Sequence, residues 1–321
     1  MLYEPTRFDV LIDEPWVPAR VEDAIAAIVG DADAAFDPTA LWPAHEWDAR
    51  EKPLPLSGLY VGAAGVIWAF DELQERGRAE SSRDLAAAVV RAVELERATP
   101  DFSADEHYRP GALMSGETGA LLVAFRLTSD PALADDVNAL VRGNVDNPTD
   151  DISWGAPGTL LVALAMGELT GEPRWEEAAR ESAAALRSRR GEDCLWRQDD
   201  DYRGLSTLHG VAGNTLALLR FEPDDAVASE SAAVLSRHAF CEDGLANWPG
   251  SPRPQLARPR DGRICLQWCT GAPGVVAGAW EYLDEDLLLA GAELIWRAGA
   301  HQDEKGHGLC HGTSGNVSRE Q

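Results

Sequence analysis

The chain has 321 residues, 45% of them hydrophobic, which is enough to bury a sizeable core and excludes a disordered tail or a small disulfide-stapled module. Its 54 acidic residues against 28 basic ones leave a net charge of −26, with Lys52 and Lys305 the only lysines, so nucleic acid and anionic membrane surfaces are excluded as partners. The first ten residues carry Glu4 and Asp9 and no apolar stretch, so no secretory signal or membrane span is expected there, and the chain is expected in the cytoplasm.

Taken in chain order, the sequence alternates two kinds of predicted helix. The first G-x-x-G element, Gly62 to Gly65, opens the apolar run 66–70, and an amphipathic helix follows over 85–96. Gly116 to Gly119 opens the run 121–125, followed by a helix with Leu133, Val137, Leu140 and Val141 on one face. Gly155 to Gly158 opens 160–164. The next amphipathic helix starts after Pro173, a first-turn proline, and shows Trp175, Ala178, Ala179, Ser182 and Leu186. Gly210 to Gly213 opens 216–219 before a helix over 226–237, and Gly271 to Gly274 opens 275–280 before a helix over 285–297. A sixth element, Gly312 to Gly315, closes the series.

Runs that are apolar on nearly all sides cannot face water, whereas the intervening segments are built to lie half in solvent. The pattern reads as an all-α stack of helical hairpins, a buried inner helix alternating with an amphipathic outer one, and a closed stack would be an α/α toroid. Glycine suits loops that turn sharply and let inner helices start close together, so the six loops are expected at one mouth. Large aromatics such as Trp68 and Trp280 are expected in the core, with Trp154 and Trp268, at the glycine loops, as rim residues.

The last two loops carry chemistry. Cys269 lies in the WCTGAPG segment and Cys310 and His311 in the CHGTSG segment, two thiols and an imidazole in matching loops about forty residues apart. This is a zinc ligand set of three, and zinc with three protein ligands keeps its fourth position for water or substrate. Cys265 is close enough in sequence to be weighed as a fourth ligand, which would make the site structural instead. An odd, scattered set of five cysteines fits reduced thiols or metal ligands better than disulfides, and Cys194, Cys241 and Cys265 read first as small hydrophobes. His45, His107, His238, His301 and His307 have no comparable context and read as surface residues.

The GLYVGAAG segment at 58–65, the LHGVAG segment at 208–213 and the two cysteine segments together resemble the lanthionine synthetase C-like family over nearly the whole chain. The resemblance implies a single domain over 1–321 with the family's seven-hairpin α/α barrel, and Cys269, Cys310 and His311 as zinc ligands. It further implies two reaction groups, an aspartate four residues before the third loop's first glycine and a histidine directly before the fourth's, here Asp151 and His209. Asp151 reads equally well as a helix cap, and His209 alone as an ordinary satisfied histidine.

Thr270 stands where the cyclases of this family often have tyrosine, and Cys265 where some have arginine, with Arg263 nearby. After Asn316 the sequence runs Val317-Ser318-Arg319-Glu320-Gln321 and ends where the family continues, so the seventh hairpin is expected to be missing and the barrel truncated.

The activity implied is zinc-dependent addition of a thiol to a dehydroamino acid, forming a thioether. The partners implied are glutathione or a similar small thiol and a peptide or protein containing dehydroalanine or dehydrobutyrine. Cyclisation of a dedicated precursor peptide competes with this, as does a non-catalytic, zinc-stabilised peptide-binding module. A glycosidase, another tenant of α/α toroids, would need two carboxylates across the mouth, and only Asp151 is offered.

Overall fold

The computed structural model describes residues 2–9, 14–44, 55–252, 264–300 and 306–317. His45, His301 and Arg263 lie outside the described residues. The helices are α1 (Pro18–Ala35), α2 (Ala63–Glu75), α3 (Leu85–Ala98), α4 (Glu117–Thr128), α5 (Pro131–Gly143), α6 (Ala156–Thr170), α7 (Pro173–Arg189), α8 (Val211–Phe221), α9 (Asp225–His238), α10 (Ala272–Ala279), α11 (Glu285–Ala298) and α12 (Thr313–Val317). Between α9 and α10 lies a two-stranded antiparallel hairpin, β1 (Phe240–Glu242) and β2 (Leu245–Asn247), with Cys241 opposite Ala246. Among the described residues no helix is long and apolar enough to cross a membrane.

The chain forms two compact units. The first comprises residues 14–147 and 161–181 and contains α1 to α5. The second comprises residues 1–13, 148–160 and 182–321 and contains α8 to α12 and the hairpin.

The two helix types use different N-caps. The amphipathic helices α3, α5, α9 and α11 are capped by Asp84, Asp130, Asp224 and Asp284, each accepting first-turn N–H groups, for example Ala87 N–H on Asp84 at 2.9 Å. Aspartate there accepts orphan donors and meets the positive end of the helix dipole. The buried helices α2, α4, α8 and α10 start from Gly62, Gly116, Gly210 and Gly271, with no side-chain cap.

The reason for glycine is a close approach of the chain to itself. A Cβ on Gly213 would lie 1.7 Å from the Thr207 carbonyl oxygen, on Gly274 1.9 Å from that of Trp268, and on Gly315 2.0 Å from that of Leu309. Gly119 meets Leu113 at 2.3 Å and Gly65 meets Leu59 at 2.4 Å in the same way. In each case the loop passes beneath the first turn of its own helix, six residues back. The same glycines also receive the preceding repeat: Leu59 lies 2.8 Å from the Cβ position of Gly119, Ile152 2.8 Å from that of Gly213, and Trp268 3.0 Å from that of Gly315. The tight inter-helix start expected from the sequence is therefore the lesser half of the cause.

Burial follows the expected faces in most places. Trp175, Ala178, Ala179, Ser182 and Leu186 of α7 are fully buried, as are Leu160, Val162, Ala163 and Met166 of α6. Two expectations fail. Trp68 is 41% exposed and Trp280 49%. Helix α2 buries Ile67, Phe70 and Asp71, which leaves Trp68 on its open side, and α10 ends at Ala279, so Trp280 is a cap residue beyond the packed turns. The hairpin is also absent from the sequence reading.

These contacts set a sharp contrast between glycines. Gly213→Ala and Gly274→Ala should each lower stability by more than about 3 kcal/mol, since a Cβ would overlap a backbone oxygen. Gly30→Ala, in α1 with nothing within 4 Å of its Cβ position, should raise stability by about 1 kcal/mol. Urea unfolding of the three variants measures both signs.

Candidate metal centre

The candidate centre lies wholly within the second unit. Its fifth loop is held by Asn247 at the end of β2, fully buried and bonded on both sides of its amide. Asn247 Nδ2 donates to the carbonyls of Leu2 (2.9 Å) and Cys265 (3.2 Å). Its Oδ1 accepts Trp248 N–H (2.9 Å) and Ala272 N–H (2.7 Å), the latter in the first turn of α10. Gln267 and Thr270 exchange backbone hydrogen bonds of 3.0 and 3.2 Å around Cys269, and the Ser206 hydroxyl donates to the Cys269 carbonyl. Cys269 N–H then donates to the Cys310 carbonyl at 3.4 Å, tying the fifth loop to the sixth.

This brings together the Sγ atoms of Cys269 and Cys310 and an imidazole nitrogen of His311, all within 4.8 Å of one another. Cys310 Sγ and His311 Nε2 are 3.8 Å apart, about the edge of a tetrahedron around a metal with 2.3 Å bonds to sulfur. The Cys269 thiol is pushed far up in pKa by the facing Cys310 sulfur and by burial. Two sulfurs crowded together resist becoming anionic until a cation joins them, so the donor set fits a divalent metal. Among the described residues, Cys265 is not part of the group.

The third and fourth loops bring Asp151 to His209. Ile152 N–H donates to the Leu208 carbonyl at 3.1 Å, and the Asp150 carbonyl accepts Gln198 Nε2 (2.6 Å) and Asn214 Nδ2 (2.9 Å). His209 Nδ1 and Asp151 Oδ2 are then 2.7 Å apart. The other carboxylate oxygen of Asp151 accepts Trp154 N–H at 2.8 Å, and its carbonyl accepts Gly155 N–H at 3.0 Å. The aspartate thus both orders the turn before α6 and holds the imidazole. With Nδ1 on the carboxylate, Nε2 is left for other work. Burial lowers the pKa of His209, but the Asp151 hydrogen bond and charge and the nearby Cys310 thiol outweigh it and hold the imidazole above its ordinary range.

Beneath this pair sits Asp150, buried and paired to Arg189 Nε at 2.7 Å. Burial nevertheless pushes its carboxyl up to about 6, overcoming the arginine. Asn247, Gln198, Asn214 and Asp150 went unread in the sequence. They sit between the motifs, and only β2 and the loop turns give them partners. Of the rim tryptophans, Trp268 packs against Gly315 and Trp154 is part-buried.

The fold is that of a helical-hairpin protein, and it carries a Cys-Cys-His group that could hold a metal ion. The chain belongs to the lanthionine synthetase C-like family, whose model, described as "Lanthionine synthetase C-like protein", matches residues 55–318. Among solved structures, nisin cyclase matches with a TM-score of 0.59 over 92% of this chain and 80% of that one, at 18% identity. That likeness shows the fold, an α/α toroid. A "Glutathione S-transferase LANCL1" from Danio rerio is 41% identical over 77 residues, taking in 21% of this chain and 18% of that relative's length.

Two titrations follow from the buried carboxylates. Asp151→Asn should lower the pKa of His209, read from its imidazole NMR shifts, since the carboxylate raises it. For Asp150 the folded state binds the proton more tightly than the unfolded chain. Its contribution to stability is therefore present in full below the unfolded value of 3.8 and lost as pH rises through about 6. Between pH 7 and pH 4 wild type should gain about 2 kcal/mol from this group, and thermal melts of Asp150→Asn should lack that part of the slope.

Proposed function

We propose that this chain catalyses addition of a small thiol, glutathione or a relative, to the β-carbon of a dehydroamino acid in a peptide or protein, with zinc held by Cys269, Cys310 and His311. The observation that carries the reading is the pairing, in one unit, of a Cys-Cys-His donor group with a histidine oriented by a buried aspartate. The name of the Danio rerio relative, a glutathione S-transferase, supports the choice of thiol, and the match to nisin cyclase supports thioether chemistry on this fold.

Zinc, when bound, would hold the incoming thiol as its thiolate at neutral pH, and two cysteine ligands suit a sulfur nucleophile better than a hydroxide. The protein's own residues complete the reaction. The thiolate sulfur forms a bond to the β-carbon, the β–α π electrons move to the α-carbon and its carbonyl, and the resulting enolate needs a proton at the α-carbon. His209, with Nδ1 on Asp151 and a raised proton affinity, delivers that proton from Nε2 and is reprotonated from solvent. Asp151 fixes the ring and stabilises its charged form. Burial of Asp151, 2% exposed, keeps that hydrogen bond from solvent competition, while His209 remains 31% exposed and open to substrate.

The test is zinc content together with mass analysis of a dehydroalanine peptide incubated with glutathione. Wild type should hold about one zinc per chain and form the adduct. Cys310→Ala should lose both. Cys265→Ala should keep its zinc, and His209→Asn should keep zinc while losing roughly 100-fold or more in rate. A folded wild type without zinc overturns the site, and zinc without adduct leaves a binding module as the function.

A further inference from the structure

Tyr202 lies between the two halves of the candidate site. It is locked by a turn in which its carbonyl accepts the N–H groups of Gln198 (3.1 Å) and Asp199 (3.3 Å). Its ring packs on Gly204, where a Cβ would lie 3.3 Å from Tyr202 Cε1 and would overlap the His209 carbonyl. At the other end, a Cβ on Gly250 would lie 3.3 Å from both the Tyr202 hydroxyl and Thr270 Cγ2. The phenol therefore runs from the backbone of His209 to the residue that follows Cys269, and it is part-exposed.

The hydroxyl hydrogen is committed. Tyr202 donates to the Gly250 carbonyl at 2.9 Å, an oxygen that also accepts Leu205 N–H at 3.3 Å. Burial, with Cys269, Asp151 and Cys265 adding negative potential, keeps the phenol protonated. A phenol whose one proton is spoken for can only accept further hydrogen bonds. An oxygen with that restriction selects N–H and O–H donors and rejects carbonyls.

We propose that Tyr202 is a specificity-determining residue of the thiol-addition site, its phenol oxygen accepting the peptide N–H of the dehydroamino acid so that the acceptor is seated between His209 and the Cys269 loop. This rests on the function proposed above. The amide nitrogen of a dehydroalanine is bonded directly to the α-carbon that takes the proton. Fixing it aims the α-carbon at the imidazole without touching the bonds that change.

The experiment is steady-state kinetics with glutathione and a peptide holding one dehydroalanine, alongside the same peptide methylated on the dehydroalanine nitrogen. Tyr202→Phe keeps the ring against Gly204 and leaves Leu205 on the Gly250 carbonyl. It should raise the peptide KM about 3- to 10-fold, the worth of one neutral hydrogen bond, with kcat, the glutathione KM and zinc content unchanged. Methylation should raise the wild-type KM by a similar factor and should have little further effect in Tyr202→Phe. An unchanged peptide KM in the variant, or a full methylation penalty retained there, overturns the role of Tyr202 alone. Wild type that forms no adduct overturns the function and this inference together. Were the variant to lose its thermal transition, the wild-type methylation penalty would carry the test, and its absence would overturn the proposal.

Discussion

A backbone carbonyl stands six residues behind Gly65, Gly119, Gly155, Gly210, Gly213, Gly271, Gly274 and Gly315, too close for any side chain between them. That steric fact organises the chain. It forces the incoming loop under the first turn of each buried helix, and it fixes where the residue just before the glycine must go. His209 precedes Gly210 and Trp154 precedes Gly155, while Cys269 lies two residues before Gly271 and His311 directly before Gly312. Residues bearing chemistry are thus presented at helix starts by a constraint that itself has no chemical role. Helix starts also offer partial positive charge, which favours thiolates and carboxylates nearby.

Around this frame the second unit solves a problem of buried polarity. Four loops meet with many backbone groups turned inward, and these cannot be left unpaired. Asn247 alone satisfies two carbonyls and two N–H groups. Gln198 bridges the Asp150 carbonyl and Gly204 N–H, and Asn214 adds a second donor to the same carbonyl. The amides are long enough to reach and neutral enough to bury, and among the described residues of this unit the buried carboxylates are Asp150 and Asp151. Burial raises the carboxyl of Asp150 despite its arginine partner.

The glycine series, the amphipathic faces and the cluster of Cys269, Cys310 and His311 were legible because each rests on local rules, spacing and residue type. Helices 85–96, 226–237 and 285–297 come within two residues of the observed ends. What escaped depends on partners far along the chain. Trp68 and Trp280 look like core by composition, yet their exposure is decided by which side of α2 meets a neighbour and where α10 stops. The β1–β2 hairpin is three residues per strand, too short to declare an alternating pattern. Tyr202 sits in an acidic turn with no motif, and only the approach of Gly204 and Gly250 gives it a place.

The reach of Asn247 to Leu2 spans 245 residues, and Asp9 N–H likewise meets the Ala300 carbonyl. The second unit is therefore threaded from three separate stretches, the earliest of them its first thirteen residues. The Leu2 carbonyl is made 245 residues before the amide that it meets. The turn that presents Cys269 gains its full set of bonds only afterwards. Complete ordering of the ligand loops thus depends on contacts of very long sequence separation, the kind that forms more slowly than local ones.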